Sequence, residues 1–435
     1  MIIPLLTGRR PLGELASLLD APWEGKDAFP SRLVTDSREI EKGDLFCALK
    51  GKDDGHLYAK EAEKRGAVAI LAERKTEATL PHILVDSVPS ALLRWASLAL
   101  AARPVLKIAI TGSVGKTTAK EKCAAVLKER YKTHKTEGNR NNHLGVPFTV
   151  LSMPLDTEAL VLELGMNNRG EIEALSSAMR PDVAIITNIG YAHIGRLGSR
   201  EAIAEAKMEI LSGMQATAPL LIPMGEPLLA PCFTRRQLHY VLPLSEKEAP
   251  FPIPTDIGER WGLGFALRLG RLLGISEDAL WRGLLDAAKA PTRRQIFTLR
   301  GVTLINDTYN ASPESTIAAL DLLQEQRGKG KRIALLGTML ELGDASSLLH
   351  RAVARHAARC ADYLLYYGEE EEAVLSGALG GGMPQERILT FPTLEKAKPV
   401  LLALMAKGDA ILFKASRGMY AERLFAAALE QCKNL

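Results

Sequence analysis

The sequence predicts an α/β protein of three domains, and three observations carry that reading. The chain has 435 residues, where a single domain takes about 100 to 200. Short β-branched runs alternate with longer amphipathic stretches through most of its length, the pattern of βαβ units. A glycine-rich turn, TGSVGKTT at 111–118, follows one apolar run and opens a helical stretch. The expected middle unit is therefore a P-loop ATPase-type parallel sheet, and the strand–helix alternation after it predicts a Rossmann-like domain at the carboxyl end.

Composition narrows the class further. Hydrophobic residues make up 47% and charged residues 24%, which excludes a collagenous, disordered or coiled-coil chain. Lys and Arg number 55 against 51 Asp and Glu, too even a balance for nucleic acid or an anionic membrane to be the main partner. Any anion site has to be local. Cys47, Cys123, Cys232, Cys360 and Cys432 lie far apart, with neither a CxxC zinc spacing nor a dense disulfide framework, which fits a reducing cytosol. MIIPLLTGRR has too short an apolar stretch for a signal peptide, and no run approaches the roughly 20 apolar residues of a membrane span. A soluble, cytoplasmic protein without stable membrane insertion is expected.

Residues 1–103 are expected to form a small first domain, with strands at VAIL (68–71) and HILV (82–85) and a helix over 90–103 that stops at Pro104. Residues 104–290 form the middle domain. Its strands are VLKIAIT (105–111) and runs within EALVLELG and DVAIITNIG, and WGLGFALRLGRLLGI and EDALWRGLLDAAK close it as helices. The proline-rich stretch from Thr217 to Asp256 has too little periodicity to assign. APTRR (290–294) is the expected linker, with its hinge at Pro291. In 291–435 five strands, VTLIND, RIALLG, DYLLYYG, RILTF and DAILFKASRG, alternate with helices in a doubly wound manner. The run Glu369 to Glu372 reads as a solvated helix start, where carboxylates suit the macrodipole, and GALGGG (377–382) as a flexible loop.

The glycine-rich turn is the strongest chemical signal. Backbone N–H groups of Gly112, Ser113, Val114 and Gly115, backed by a helix amino terminus, can cradle nucleotide phosphates. Lys116 would reach the β- and γ-phosphates and Thr117 would ligate magnesium, with Thr118 beside it. The full Walker pattern has glycine where this chain has Ile110. Glu163 closes an apolar run where a P-loop ATPase places an acidic magnesium ligand. His193 lies just beyond a strand, where an imidazole binds metal or caps a turn. Lys207 follows alanines in EAIAEAKMEIL. There a lysine snorkels to the surface or, if buried beside cations, loses its proton and becomes reactive.

TGSVGKTT, GNRNNHLGVP (138–147), ELGMNNRGEI (163–172), AHIG with the downstream AK, and DTYNASPEST (307–316) together resemble the Mur ligase family. LGTMLELGD (336–344) and FKASRGMYAE (413–422) resemble the branch that adds D-alanyl-D-alanine to UDP-N-acetylmuramoyl-tripeptide, and TDSREIEKGDLFCALKGKDDGH (35–56) is similar to that branch's uridine-nucleotide domain. The resemblance implies an ATP-dependent, ADP-forming amide ligase of peptidoglycan precursor synthesis, working through an acyl phosphate. It implies one magnesium ion at Thr117 and Glu163, and a second at His193 and at Lys207 carrying a carbamate. It also implies that Asn142 and His143 line the acceptor side and that Asp307, Tyr309 and Asn310 meet the nucleotide, with Arg294 near the γ-phosphate. Ser37, Arg38 and His56 would face the UDP moiety, and Lys414, Ser416 and Arg417 the dipeptide or the acceptor. A monomer is expected.

The chain departs from the family's pattern at several places. Arg260 and Gly264 stand where relatives usually carry His and Asn, Arg293-Arg294 replaces a Gly-Arg pair, and Thr338 replaces Asp. Phosphate and metal positions survive while nucleoside-facing ones drift, so altered nucleotide affinity or selectivity is expected. Competing readings are another Mur or folylpolyglutamate-type ligase, and a nucleotide-binding regulatory protein that has lost catalysis.

Overall fold

The computed structural model describes residues 1–229, 238–253, 256–289, 295–326 and 330–434. The expected linker at 290–294, with Pro291 and Arg294, lies outside the described residues, as does Cys232. Three α/β domains follow one another along the chain, each built on its own sheet.

The first sheet contains β1 (Ile2–Pro4), β2 (Arg32–Val34), β3 (Leu45–Cys47), β4 (Ala69–Ala72) and β5 (His82–Leu84), in that spatial order. Only β1 runs antiparallel to its neighbour. The two runs expected as strands are β4 and β5; β1 to β3, of three residues each, are too short to show a period. The helix Val88–Ala101 begins where the Ser87 side chain accepts from Ser90 N, with proline in its first turn. Its buried face, including Leu92, Trp95 and Leu100, joins the same hydrophobic cluster as Val146, Leu151 and Leu175 of the middle domain. Trp95 Nε1 donates to the Gly8 carbonyl at 3.0 Å and Ser97 Oγ to that of Ala178 at 2.7 Å. The first two domains thus share one core.

The middle sheet is wholly parallel, in the order β11-β10-β9-β6-β8-β7. Its strands are β6 (Leu106–Thr111), β7 (Thr133–Lys135), β8 (Ala159–Glu163), β9 (Val183–Ile186), β10 (Leu220–Pro223) and β11 (Leu238–Val241). The proline-rich stretch left unassigned supplies β10 and β11. Ile108 and Ile110 of β6 feed one core cluster and Ala109 the other, as a sheet covered on both faces requires. Because β8 lies on one side of β6 and β9 on the other, a crevice opens at the carboxyl end of β6.

The third sheet has the order β12-β13-β17-β14-β15-β16. The five expected strands are β13 (Val302–Asn306), β14 (Arg332–Gly337), β15 (Tyr363–Tyr367), β16 (Ile388–Phe391) and β17 (Ala410–Lys414). A sixth, β12 (Gln295–Leu299), pairs antiparallel with β13 through Arg300 and Gly301, both at positive φ as a tight hairpin turn requires. Its mostly exposed residues show no apolar run. GALGGG corrects an expectation: residues 377–380 finish the helix Glu371–Gly380, and a Cβ at Gly377 would stand 2.2 Å from the Arg351 carbonyl oxygen. Glycine there serves close helix packing, not a flexible loop. Among the described residues no helix is long and apolar enough to cross a membrane.

Candidate active site

The loop after β6 is shaped by two glycines and pinned from β9. Gly112 has φ 147°, and a Cβ on it would stand 1.9 Å from Thr187 Oγ1; Gly115, φ 80°, precedes the helix Lys116–Leu127. Ser113 N donates to the Asn188 carbonyl (3.1 Å), Val114 N to Asn188 Oδ1 (2.9 Å), and Thr187 Oγ1 to the Val114 carbonyl (2.6 Å). These bonds set the loop's curvature and, against expectation, occupy the Ser113 and Val114 N–H groups, so the phosphate cradle rests on the helix amino terminus. Lys116 Nζ folds over the loop, donating to the carbonyls of Gly112 (2.6 Å) and Ser113 (3.3 Å).

Glu163, at the end of β8, is buried beneath that helix. Thr117 Oγ1 donates to its Oε2 at 2.7 Å and Asn141 Nδ2 to its Oε1 at 2.8 Å, while the buried Lys120 Nζ lies 3.8 Å away. A carboxylate and a hydroxyl, both hard oxygen donors, are therefore side by side, as a magnesium site needs. His193 caps a short helix in the left-handed region, φ 70°, with Nδ1 2.9 Å from Glu341 Oε2. Burial, then the charges of Lys207 and Lys116, hold its imidazole below the usual histidine range although Glu341 opposes them. Lys207 is 1% exposed, so the snorkelling alternative fails. Burial and the nearby Lys116 ammonium push its amine well below the usual lysine range.

The third domain brings a second set of groups to the same place. Lys414 Nζ, at the end of β17, donates to Asp307 Oδ2 at 2.7 Å and to the Asn310 carbonyl at 2.9 Å. Ser416 Oγ accepts from Leu340 N at 2.8 Å and donates to the Ala311 carbonyl at 3.4 Å. The Arg417 guanidinium lies 5.7 Å from the centroid of the Tyr309 ring. A cavity of about 980 Å³ joins these residues to Ser113–Thr118, Glu163, His193 and Lys207.

Other expected site residues fall differently. Asn142 lines the cavity, but its Oδ1 also accepts from Leu144 N and Gly145 N at the start of the helix Gly145–Leu151; His143 is exposed and does not line it. In the first domain Ser37 Oγ donates to Glu61 Oε2 at 2.7 Å, and Arg38, 77% exposed, forks onto Asp36. His56 is buried with both ring nitrogens engaged: Nδ1 lies 2.6 Å from Asp54 Oδ1, and Nε2 accepts from Glu73 N at 3.0 Å. None of these three lines the central cavity. Arg294 lies outside the described residues.

Three departures from the family pattern have local explanations, and Arg293-Arg294 lies outside the described residues. A Cβ at position 264 would stand 2.0 Å from the Leu242 carbonyl oxygen, so only glycine lets that chain approach the helix Ile257–Leu272. Arg260 Nε donates to the Leu244 carbonyl in the same contact, at 2.9 Å. Thr338 Oγ1 lies 2.9 Å from the Tyr366 hydroxyl and accepts from Glu369 N at 3.3 Å.

Sequence reasoning missed Asn141, Asn188, Lys120, Glu314 and Glu341. Glu314 Oε1 accepts from Tyr191 N at 2.8 Å across the domain boundary. Away from the cavity, Asp321, His356 and Cys360 form a cluster that resembles a metal site. His356 Nε2 sits 2.6 Å from Asp321 Oδ1, the Cys360 Sγ donates to Gln324 Oε1 at 3.6 Å, and burial pushes the Cys360 thiol up to about 11.

The chain matches the family models for the Mur ligase family catalytic domain over residues 31–102, the Mur ligase middle domain over 110–247 and the Mur ligase glutamate ligase domain over 292–417. It is 36% identical over 426 residues to the UDP-N-acetylmuramoyl-tripeptide--D-alanyl-D-alanine ligase of Bacillus subtilis, covering 92% of this chain and 93% of that one. Among solved structures it is similar to a MurF crystal structure from Acinetobacter baumannii, with TM-score 0.86, 29% identity and coverage of 97% and 100%. It is also similar to the MurF ligase of Thermotoga maritima in complex with ADP, with TM-score 0.80, 30% identity and coverage of 92% and 98%. With models matched in order across all three domains, the chain belongs to the Mur ligase family.

Proposed function

We propose that this enzyme joins D-alanyl-D-alanine to UDP-N-acetylmuramoyl-tripeptide and splits ATP to ADP and phosphate. The observation that carries the reading is the shared cavity, where a pinned phosphate loop and the Thr117–Glu163 pair face the Lys414–Asp307 pair of another domain. A carboxylate oxygen of the tripeptide attacks the γ-phosphorus, ADP leaves, and an acyl phosphate forms. The dipeptide's amine nitrogen then attacks the acyl carbon, loses a proton, and phosphate departs as the amide forms. No protein nucleophile is needed; positioning and charge neutralisation suffice.

In this scheme the start of the helix, Gly115 to Thr118, and the Lys116 ammonium hold the β- and γ-phosphates, with Gly112, Ser113 and Val114 shaping the loop around them. Asp307, Tyr309, Asn310 and Arg294 meet the nucleotide from the third domain. Asn142 and His143 lie on the acceptor side, Lys414, Ser416 and Arg417 take the dipeptide or the acceptor, and Ser37, Arg38 and His56 take the UDP end. The residues present fit two magnesium ions: Thr117 and Glu163 offer hard oxygens, His193 is a neutral imidazole, and the Lys207 amine can add to carbon dioxide, losing a proton to become a carbamate. Bound magnesium would neutralise charge on the transferred phosphoryl group. Enclosure between the domains keeps water from the acyl phosphate. In this reading the enzyme works in the cytoplasm, where its substrates are made, as a monomer.

The test is a product analysis. With ATP, magnesium, D-alanyl-D-alanine and candidate UDP-muramoyl tripeptides, mass spectrometry should find a product equal to tripeptide plus dipeptide minus one water. No such product from any acceptor would defeat the reading.

A further inference from the structure

The contact between His193 and Glu341 joins two domains. His193 belongs to the middle domain and Glu341 to the loop after β14 in the third. The carboxylate can only accept, so at 2.9 Å it favours the tautomer in which Nδ1–H donates to it, leaving Nε2 as the nitrogen with a lone pair. His193 lines the cavity together with Thr117, Glu163 and Lys207. Both partners are held in the left-handed region, His193 at φ 70° and Glu341 at φ 67°, where residues other than glycine are uncommon. The backbone locks the same contact: Gly195 N donates to the Glu341 carbonyl at 2.9 Å, and a Cβ on Gly195 would stand 2.6 Å from Gly343 N. Arg196 adds a cation 3.5 Å from the other Glu341 oxygen.

We propose that Glu341 is a positioning residue through which docking of the third domain sets the tautomer and ring orientation of His193, so that the histidine presents Nε2 to a divalent cation only when the domains are closed. The proposal rests on the assignment of His193 as a cation ligand above. A metal-binding histidine commonly gives its second N–H to a carboxylate that fixes its orientation. Here that carboxylate comes from a different domain than Thr117, Glu163 and Lys207. Formation of the cation site is therefore conditional on closure. A cation bound before the third domain docks would meet a histidine free to turn or to present the wrong nitrogen. Phosphoryl transfer is thereby restricted to the enclosed state.

The experiment uses the full chain labelled with ¹⁵N-histidine, whose tautomers are read from two-bond ¹H–¹⁵N couplings, His193→Gln serving to assign the signal. Mn²⁺ affinity is read by electron paramagnetic resonance in the presence of a non-hydrolysable ATP analogue. The wild type is expected to show the Nδ1–H tautomer. Glu341→Ala is expected to lose it and to weaken Mn²⁺ binding by about 10- to 100-fold, with nucleotide affinity little changed. Glu341→Gln, whose amide oxygen can still accept from Nδ1, is expected to restore most of both. Gly195→Ala, which obstructs docking and leaves the carboxylate in place, is expected to reproduce the Glu341→Ala result. An unchanged tautomer and Mn²⁺ affinity in Glu341→Ala would overturn the proposal. So would a Gly195→Ala chain that opens by X-ray scattering while His193 stays Nδ1–H. A wild type with the Nδ1–H tautomer that makes no amide product contradicts the ligase reading and leaves the coupling standing.

Discussion

The two seams of this molecule are built from different materials. Between the first and middle domains runs a single hydrophobic cluster that includes the buried Trp95, with backbone bonds from Leu6 N and Thr7 N to the Leu151 carbonyl. Between the middle and third domains lies a large cavity, where Tyr191 and Ile194 pack on the third-domain core and polar side chains span the gap, such as Glu341 to His193 and the Glu314 carboxylate on Tyr191 N. An apolar seam is costly to open because it exposes surface to water; a polar one exchanges its bonds for water's. In the proposed reaction the first seam would hold the UDP end in place, and the second would open and close with each turnover.

That contrast predicts which substitutions change stability and which change rate. Lys116→Ala is expected to lower kcat by roughly 10²- to 10³-fold, as loss of one group aimed at developing charge does, with the urea midpoint barely moved. Trp95→Ala should do the reverse: a loss of about 3–5 kcal/mol in denaturant unfolding and a near-normal kcat per folded molecule. If Trp95→Ala abolished turnover in fully folded protein, the division of labour between the seams would be wrong.

Lys207 sharpens the comparison, because it is a buried cation-former placed at the polar seam. Lys207→Ala is expected to cost at least about tenfold in rate, and short-chain carboxylic acids should restore part of it by supplying the missing oxygens. No rescue would count against a carbamate. In carbon dioxide-free buffer without nucleotide, the depressed lysine also makes a stability prediction. Below the ordinary lysine value of 10.5 the unfolded chain binds a proton there that the folded chain binds less readily, so stability falls as pH drops from 10.5 toward the folded value. Lys207→Met should therefore be more stable than wild type at neutral pH, with the gap closing as pH rises to 10.5. His193, also depressed, adds a smaller effect of the same sign below its ordinary value of 6.5. A gap that did not change with pH would refute the buried-amine assignment.

What could be read from the sequence, and what could not, follows from how far apart the interacting residues are. The phosphate loop was legible because its parts, a strand, two glycines and Lys116, are contiguous and their spacing is the mechanism. Glu163 and Lys207 were legible as candidates, but burial decides what they do, and a one-dimensional pattern cannot show it. Asn141 escaped because its role, holding Glu163, joins residues 22 positions apart. Glu341 and Glu314 escaped because they act on another domain. GALGGG misled because glycine permits both loop freedom and close helix packing, and only the neighbouring Arg351 carbonyl decides between them. His56 was expected at the UDP end, yet its two nitrogens are bound to Asp54 and Glu73, so whatever it contributes there passes through those residues.

The central claim is that the phosphate taken from ATP leaves only as the amide bond forms. The direct measurement is phosphate release with each substrate omitted in turn. The account predicts release that requires both UDP-N-acetylmuramoyl-tripeptide and D-alanyl-D-alanine, with one phosphate for each amide formed. Hydrolysis that proceeds at the same rate with neither present would contradict it.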